Sequence, residues 1–347
     1  MSTLGEFDLI ERYFKQPASH RALPGTLAAQ QPSQVALGIG DDCALLAPAP
    51  GMQLAISTDM LVGGRHFLST VDAARLGHKA LAVNLSDLAA CGARPLAFTL
   101  SLALPTVDEP WLAGFSRGLF ALADTHACAL IGGDTTRGPL TISITVFGEV
   151  PIGGALLRSG AQAGDDVWVS GTLGDARLAL EVFRGALSLP GAAFEIARQR
   201  MEQPTPRIAL GLALRGVASA AADISDGLLG DLGHILRASG VGATLDADAA
   251  VKLILLTQPG APALPLPLAT ALQRSCALSG GDDYELVFSA PASARQAVLQ
   301  ASQNTDTPVA RIGVIERETG LRIVDAQGAT VPQRFASFDH FVSPEAT

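Results

Sequence analysis

Apolar runs with strand character recur at Val35–Ile39, Leu54–Ser57, Ala97–Leu104, Leu140–Phe147 and Val167–Ser170. The run Leu140-Thr141-Ile142-Ser143-Ile144-Thr145-Val146 alternates apolar and polar positions strictly. That is the pattern of a strand with one solvated face. Between the runs the spacing predicts helices over Ala73–Ala90, Pro110–Thr125, Asp175–Arg184, Pro206–Arg215, Asp226–Ala238 and Ala292–Ala301. Pro110 and Pro206 suit first-turn positions, where a missing N–H loses no helical bond. Alternation of strand and helix predicts an α/β (α+β) chain. The glycine-rich stretch Pro151–Gly164 interrupts it before a fresh strand-turn-helix start at Asp165. This places an N-terminal domain at 1–150 and a C-terminal domain at 151–347.

A length of 347 residues accords with two domains. Hydrophobic residues make up 48% and charged residues 16%, enough for two cores and unlike a disordered chain. The net charge of −9 argues against nucleic acid or an anionic membrane surface as a partner, since both select basic patches. Cys43, Cys91, Cys128 and Cys276 stand far apart, which excludes a paired-cysteine zinc site and predicts reduced thiols. The acidic start predicts no targeting segment. The uncharged stretch between Lys252 and Arg274 is broken by Pro259, Gly260, Pro262, Pro265 and Pro267, so it is no membrane helix. A soluble cytoplasmic protein is the expectation.

The chemistry lies in the setting of the aspartates. They recur beside glycine or at the ends of apolar runs: Gly40-Asp41-Asp42, Ser57-Thr58-Asp59, Gly132-Gly133-Asp134, Asp223-Ile224-Ser225-Asp226-Gly227, and Gly280-Gly281-Asp282-Asp283. One such Asp is ordinarily a turn residue or helix cap. Five repetitions predict carboxylates gathered in a crevice at strand ends. Gathered carboxylates raise one another's pKa unless cations neutralise them, and oxygen donors without His or Cys pairing point to Mg²⁺. Asn84 and Asp87 lie three apart on the helix after Ala73 and share a face. Asp87 stands among apolar positions, where an unpaired carboxylate costs several kcal/mol without a cation or donors.

Several Mg²⁺ ions in a glycine-rich crevice imply polyphosphate chemistry, yet the usual phosphate motifs are missing. The only lysines are Lys15, Lys79 and Lys252, so no P-loop exists. The Gly38-x-Gly40 pair has no third glycine, and the HExxH, GxSxG and protein-kinase motifs are absent. Arg137 and Arg158 remain as anion-facing candidates, and His66 lies seven residues after Asp59.

Taken in order, these motifs resemble the thiamine-monophosphate kinase family of the aminoimidazole-ribonucleotide-synthetase-like superfamily. The resemblance runs from Gly5-Glu6-Phe7 through Gly38–Ala44, Ser57-Thr58-Asp59, Lys79–Ala90 and Gly132–Thr136. It continues through Ser225-Asp226-Gly227-Leu228, Ser279–Leu286 and Phe338-Asp339-His340-Phe341. It implies a two-domain fold whose N-terminal strands form a barrel across a homodimer. It implies Mg²⁺-dependent transfer of the ATP γ-phosphate onto thiamine monophosphate, giving thiamine diphosphate and ADP. By position, metal ligands fall on Asp42, Ser57, Thr58, Asp59, Asp87, Asp134, Asp223 and Asp226, with Asp59, Asp87 and Asp134 central to catalysis. Nucleotide contacts fall on Gly133, Asp134, Arg158 and Ser225, and substrate contacts on His66, Asp282 and Phe338. The family often has Glu at the place of Asp282 and Tyr at that of Phe338. The alternatives are another ATP-dependent enzyme of the superfamily or a silent nucleotide-binding subunit. Against selenophosphate synthetase stands the lack of any Cys before Cys43.

Overall fold

The structure, a computed structural model, describes residues 5–17, 34–332 and 335. They fall into two units: the described residues of Met1–Leu88 with Ala93–Gly153, and those of Ala89–Gly92 with Gly154–Thr347. Among the described residues no helix is long and apolar enough to cross a membrane.

The first unit begins with α1 (Glu6–Ile10), which runs on as a π-helical turn over Glu11–Lys15. There follow β1 (Val35–Leu37), β2 (Leu45–Leu46), β3 (Met52–Val62), α2 (Ala73–Ala90), β4 (Arg94–Leu104), α3 (Glu109–Thr125), β5 (Ala129–Arg137) and β6 (Thr141–Pro151). The alternating run lies in β6 and behaves as its pattern demands: Ile142, Ile144 and Val146 are buried, and Thr141, Ser143 and Thr145 are half-buried. The long strands form a sheet in the order β3-β6-β4-β5. Its first two pairings are antiparallel and the last is parallel. β3 and β5 are therefore its edges. Along β3 the alternate residues Leu54, Ile56 and Met60 are exposed, Ile56 to 58%.

Helix α2 has the predicted bounds because Asp72 caps it, accepting from the Ala74 and Arg75 amides at 2.9 and 3.2 Å. Its Leu76, Leu81, Leu85 and Leu88 are fully buried. It crosses α3 with almost no side chain between the backbones. A Cβ on Gly77 would lie 2.1 Å from the Phe115 carbonyl oxygen, and one on Gly118 1.8 Å from that of Ala74.

The second unit holds β7 (Asp166–Ser170), α4 (Asp175–Phe183), α5 (Gly191–Glu202), α6 (Ile208–Ala213), β8 (Ala220–Asp223) and α7 (Leu228–Ser239). It continues with β9 (Gly242–Asp246), α8 (Ala247–Val251), α9 (Thr270–Ser279), β10 (Leu286–Ala290), α10 (Arg295–Asn304), β11 (Val309–Glu316) and β12 (Gly320–Val324). Its sheet runs β12-β9-β11-β7-β10-β8 and is antiparallel except at β12–β9. Val167, Val169, Leu178, Leu232, Ile235 and Val287 lie at its core. Both sheets are thus mixed and largely antiparallel, in an α/β frame, rather than the open sheet with carboxylates at every strand end that the Gly-Asp pattern suggested.

Candidate functional site

Three groups of the predicted site residues emerge, two in the first unit and one in the second. In the first group β3 meets α2. The Ser57 hydroxyl donates to Asp87 Oδ2 at 2.5 Å, and Asn84 Oδ1 accepts from the Asp59 amide at 3.0 Å. The shared helical face of Asn84 and Asp87 is therefore turned to β3, as their spacing predicts. Strand alternation sends Thr58 to the other face, where its hydroxyl pairs with Thr145 at 2.8 Å. His66 lies in the turn just after β3. Its Nδ1 accepts from the Val62 amide at 3.0 Å, which leaves the proton of the neutral ring on Nε2.

The second group lies along β5. A pocket of about 160 Å³ is lined by Gly40, Asp41 and Asp42 of the β1–β2 segment and by Gly132, Gly133 and Asp134. Gly133 has φ 148°, and a Cβ there would sit 1.8 Å from the Leu100 carbonyl oxygen, so only glycine fits. Exposed Arg137 ends the same strand, at a neighbouring pocket with Thr135 and Leu104.

Asp59 and Asp134 are not at strand ends. β3 continues to Val62 and β5 to Arg137, so both carboxylates stand within strands. Within one chain they are also far apart. Asp59 pairs with Ile144, Ile144 with Leu100, and Leu100 with Gly133. Three interstrand steps separate the two edges, ~14 Å at ~4.8 Å each.

The third group is in the second unit. Asp223 ends β8 and is buried. Ser225 and Asp226 form the turn into α7, and the 279–285 loop runs beside them. The Asp282 amide donates to the Ser225 carbonyl at 2.7 Å, and that of Tyr284 to Ile224 at 2.8 Å. Asp282 and Tyr284 hold left-handed backbone, φ 63° and 52°, a conformation L-residues adopt at some cost. Asp231, passed over in the sequence, clamps this turn by accepting from the Ser225 and Asp226 amides, both at 3.1 Å. An acid in the first turn of the helix that follows Asp226 was its only signal. Ser239, at the far end of α7, holds the segment of Arg158. Its hydroxyl accepts from the Gly160 and Ala161 amides and donates to the Arg158 carbonyl. Phe338 lies outside the described residues.

Burial pushes the Asp231 carboxyl up to about 7, helped by the Asp226 charge and opposed by the two amides and Arg158. A carboxyl with a raised pKa in the folded state adds stability below the unfolded value of ~4 and loses it as pH rises through the folded one. In EDTA the thermal midpoint should therefore fall less between pH 5 and 8 in Asp231→Asn than in wild type. Equal pH slopes in the two proteins would contradict the assignment.

Among the described residues no three His, Cys, Asp or Glu side chains lie together closely enough to hold a metal ion. The donor chemistry nonetheless fits Mg²⁺. Ser57, Asp59, Asp87, Asp42 and Asp134 offer oxygen alone, and the contact between Ser57 and Asp87 brings two such donors to one point.

The family described as AIR synthase related protein matches with its N-terminal domain over residues 40–150 and its C-terminal domain over 162–326. The thiamine-monophosphate kinase of Salmonella typhimurium is 46% identical, over 98% of this chain and 99% of its own length. The crystal structure of thiamine-monophosphate kinase from Stenotrophomonas maltophilia has 46% identity and a TM-score of 0.79, covering 95% of this chain and 99% of that one. The structure of AaThiL complexed with AMPPCP and TMP superposes at a TM-score of 0.69 with 29% identity, covering 97% of each chain. By full-length sequence and by fold, this chain belongs to the thiamine-monophosphate kinase family.

Proposed function

We infer that the chain transfers the γ-phosphate of ATP to thiamine monophosphate, in the cytoplasm and as a homodimer dependent on Mg²⁺. A phosphate oxygen of thiamine monophosphate attacks the γ-phosphorus, the bond to the β-phosphate oxygen breaks, and ADP leaves. Such transfer needs positioning and charge neutralisation rather than covalent help from the protein. Bound Mg²⁺ would supply the charge neutralisation that lets two anionic reactants meet.

The observation that carries the reading is the division of the acidic residues between opposite edges of one sheet. Edge strands expose unpaired backbone groups, and a second copy can satisfy them. β3 of one protomer adjoins β5 of its partner, and by symmetry the junction occurs twice. Two four-stranded sheets then close into one barrel, and exposed Leu54, Ile56 and Met60 are covered. Each site draws Asp42, Gly133 and Asp134 from one protomer. It draws Ser57, Asp59, Asp87 and His66 from the other, with Thr58 contributing through its main chain. In the second unit, Asp223 and Asp226 are the metal ligands. Arg158 and Ser225 hold the nucleotide, Asp282 faces the thiazolium cation, and Phe338 contacts the substrate.

The test is ADP formation from ATP and Mg²⁺ with and without thiamine monophosphate. Release should depend on the acceptor. In the same assay Arg158→Ala should raise the KM for ATP about tenfold, the loss of one charged phosphate contact, and leave that for thiamine monophosphate nearly unchanged. Arg158→Lys should recover only part, since an ammonium lacks the guanidinium fork. Acceptor-independent ADP release would refute the kinase reading.

A further inference from the structure

The segment that displays Asp41 and Asp42 hangs by both ends from a single carboxylate. Glu149, in β6, is only 2% exposed. Its Oε2 accepts from Gln34 Nε2 at 2.5 Å and from the Ala49 amide at 2.9 Å. Its Oε1 accepts from Arg94 Nε at 3.1 Å and also from Arg94 Nη2. Arg94 Nη2 closes the ring by donating to Gln34 Oε1 at 2.8 Å. Gln34 and Ala49 bracket β1, the Gly40-Asp41-Asp42 turn and β2, and the Ala47 amide donates to the Gln34 carbonyl at 2.8 Å. Between these anchors, Val35, Ala44 and Leu46 pack on the buried cluster of Leu96, Ala97 and Ile131, as Phe147 of β6 does. Burial pushes the Glu149 carboxyl up, but the Ala49 amide, Arg94 and Gln34 outweigh it and hold it below the ordinary range. It is thus a fixed anion with its donors already in place.

We propose that Glu149 is a positioning residue: by fixing both ends of residues 34–49 it sets Asp42 opposite Gly133 and Asp134, and so sets the affinity for divalent cation with nucleotide. The step rests on the reading of Asp42 and Asp134 as metal ligands. Glu149 touches neither reactant. Its removal lets the segment drift, and a carboxylate displaced by about an ångström is a poorer ligand. Groups that orient metal ligands typically carry 10–100-fold in metal affinity, and Glu149 acts through a whole segment, at the low end of that range.

The experiment measures Mn²⁺ binding by electron paramagnetic resonance in the presence of AMPPCP, alongside Mg²⁺ titration of activity. Glu149→Gln should weaken Mn²⁺ binding about tenfold and raise the Mg²⁺ requirement equally. At saturating Mg²⁺ its kcat should stay within about twofold of wild type, and the KM for thiamine monophosphate should not move, a split that general unfolding does not produce. Gln34→Ala, which removes one anchor with its two side-chain hydrogen bonds but leaves the Arg94–Glu149 pair and the Ala49 anchor, should weaken Mn²⁺ binding about threefold, less than Glu149→Gln. If Glu149→Gln does not fold, Gln34→Ala decides. Wild-type Mn²⁺ affinity in the folded variants overturns the proposal. Asp42→Asn is the separate control: if it binds Mn²⁺ as wild type does, the metal-ligand reading itself has failed.

Discussion

Co-producing Asp59→Asn and Asp134→Asn chains should restore about a quarter of wild-type activity, although each variant alone loses at least ~10²-fold, the scale of removing one charge-stabilising group. Random pairing makes half of the dimers mixed. In a mixed dimer one junction of β3 with the partner's β5 carries both substitutions, and the other carries neither. The intact junction turns over normally. Both variants should fold, because losing a carboxylate from a set of like charges relieves repulsion in the metal-free protein. A site built within one chain would give no recovery, since every site would then hold one substitution. Purified variants mixed after partial denaturation and refolding, with initial rates read against each parent, decide between the two.

The second large effect is discrimination for a phosphorylated acceptor. Thiamine should be used with a kcat/KM at least ~10³-fold lower than thiamine monophosphate, a ΔΔG‡ of about 4 kcal/mol. A free alcohol needs a base to become a useful nucleophile. On the proposed function Asp59 and Asp87 are committed to metal, and His66 uses Nδ1 to accept from the Val62 amide. An acceptor phosphate is already ionised near neutral pH, and its charge also fixes its position among cations. Initial rates with the two acceptors at saturating Mg-ATP test this. Comparable rates would show that the site contains a base and acts on alcohols.

Much of the site was legible because its signals are local. Asn84 and Asp87 share a helical face by spacing alone, and the alternation in β6 follows from the strand period. Asp223, Ser225 and Asp226 stand at a strand-to-helix turn, as their glycine neighbour suggested. What escaped depends on distant pairings. Ala220–Ala222 are good helix formers by intrinsic preference, yet they form β8 because a buried place beside β10 was open to a strand of small side chains. Leu286–Ala290 is buried throughout and, Ser289 apart, apolar, so no period marked it as β10. The placing of Asp59 and Asp134 on opposite edges is a property of strand order, which no window of sequence contains.

The left-handed backbone at Asp282 restricts how this position can vary through evolution. Asp, Asn and Gly enter that conformation readily, whereas β-branched residues strain it. The amide of Asp282 is committed to the Ser225 carbonyl, so the loop cannot shift to suit a different side chain. Divergence here is therefore channelled into side-chain length from a stationary Cα. On the proposed function, an exchange between Asp and Glu moves the carboxylate by one methylene towards or away from the thiazolium cation of the substrate while the frame stays still. Lineages could retune substrate affinity at this one residue without redesigning the loop that carries it.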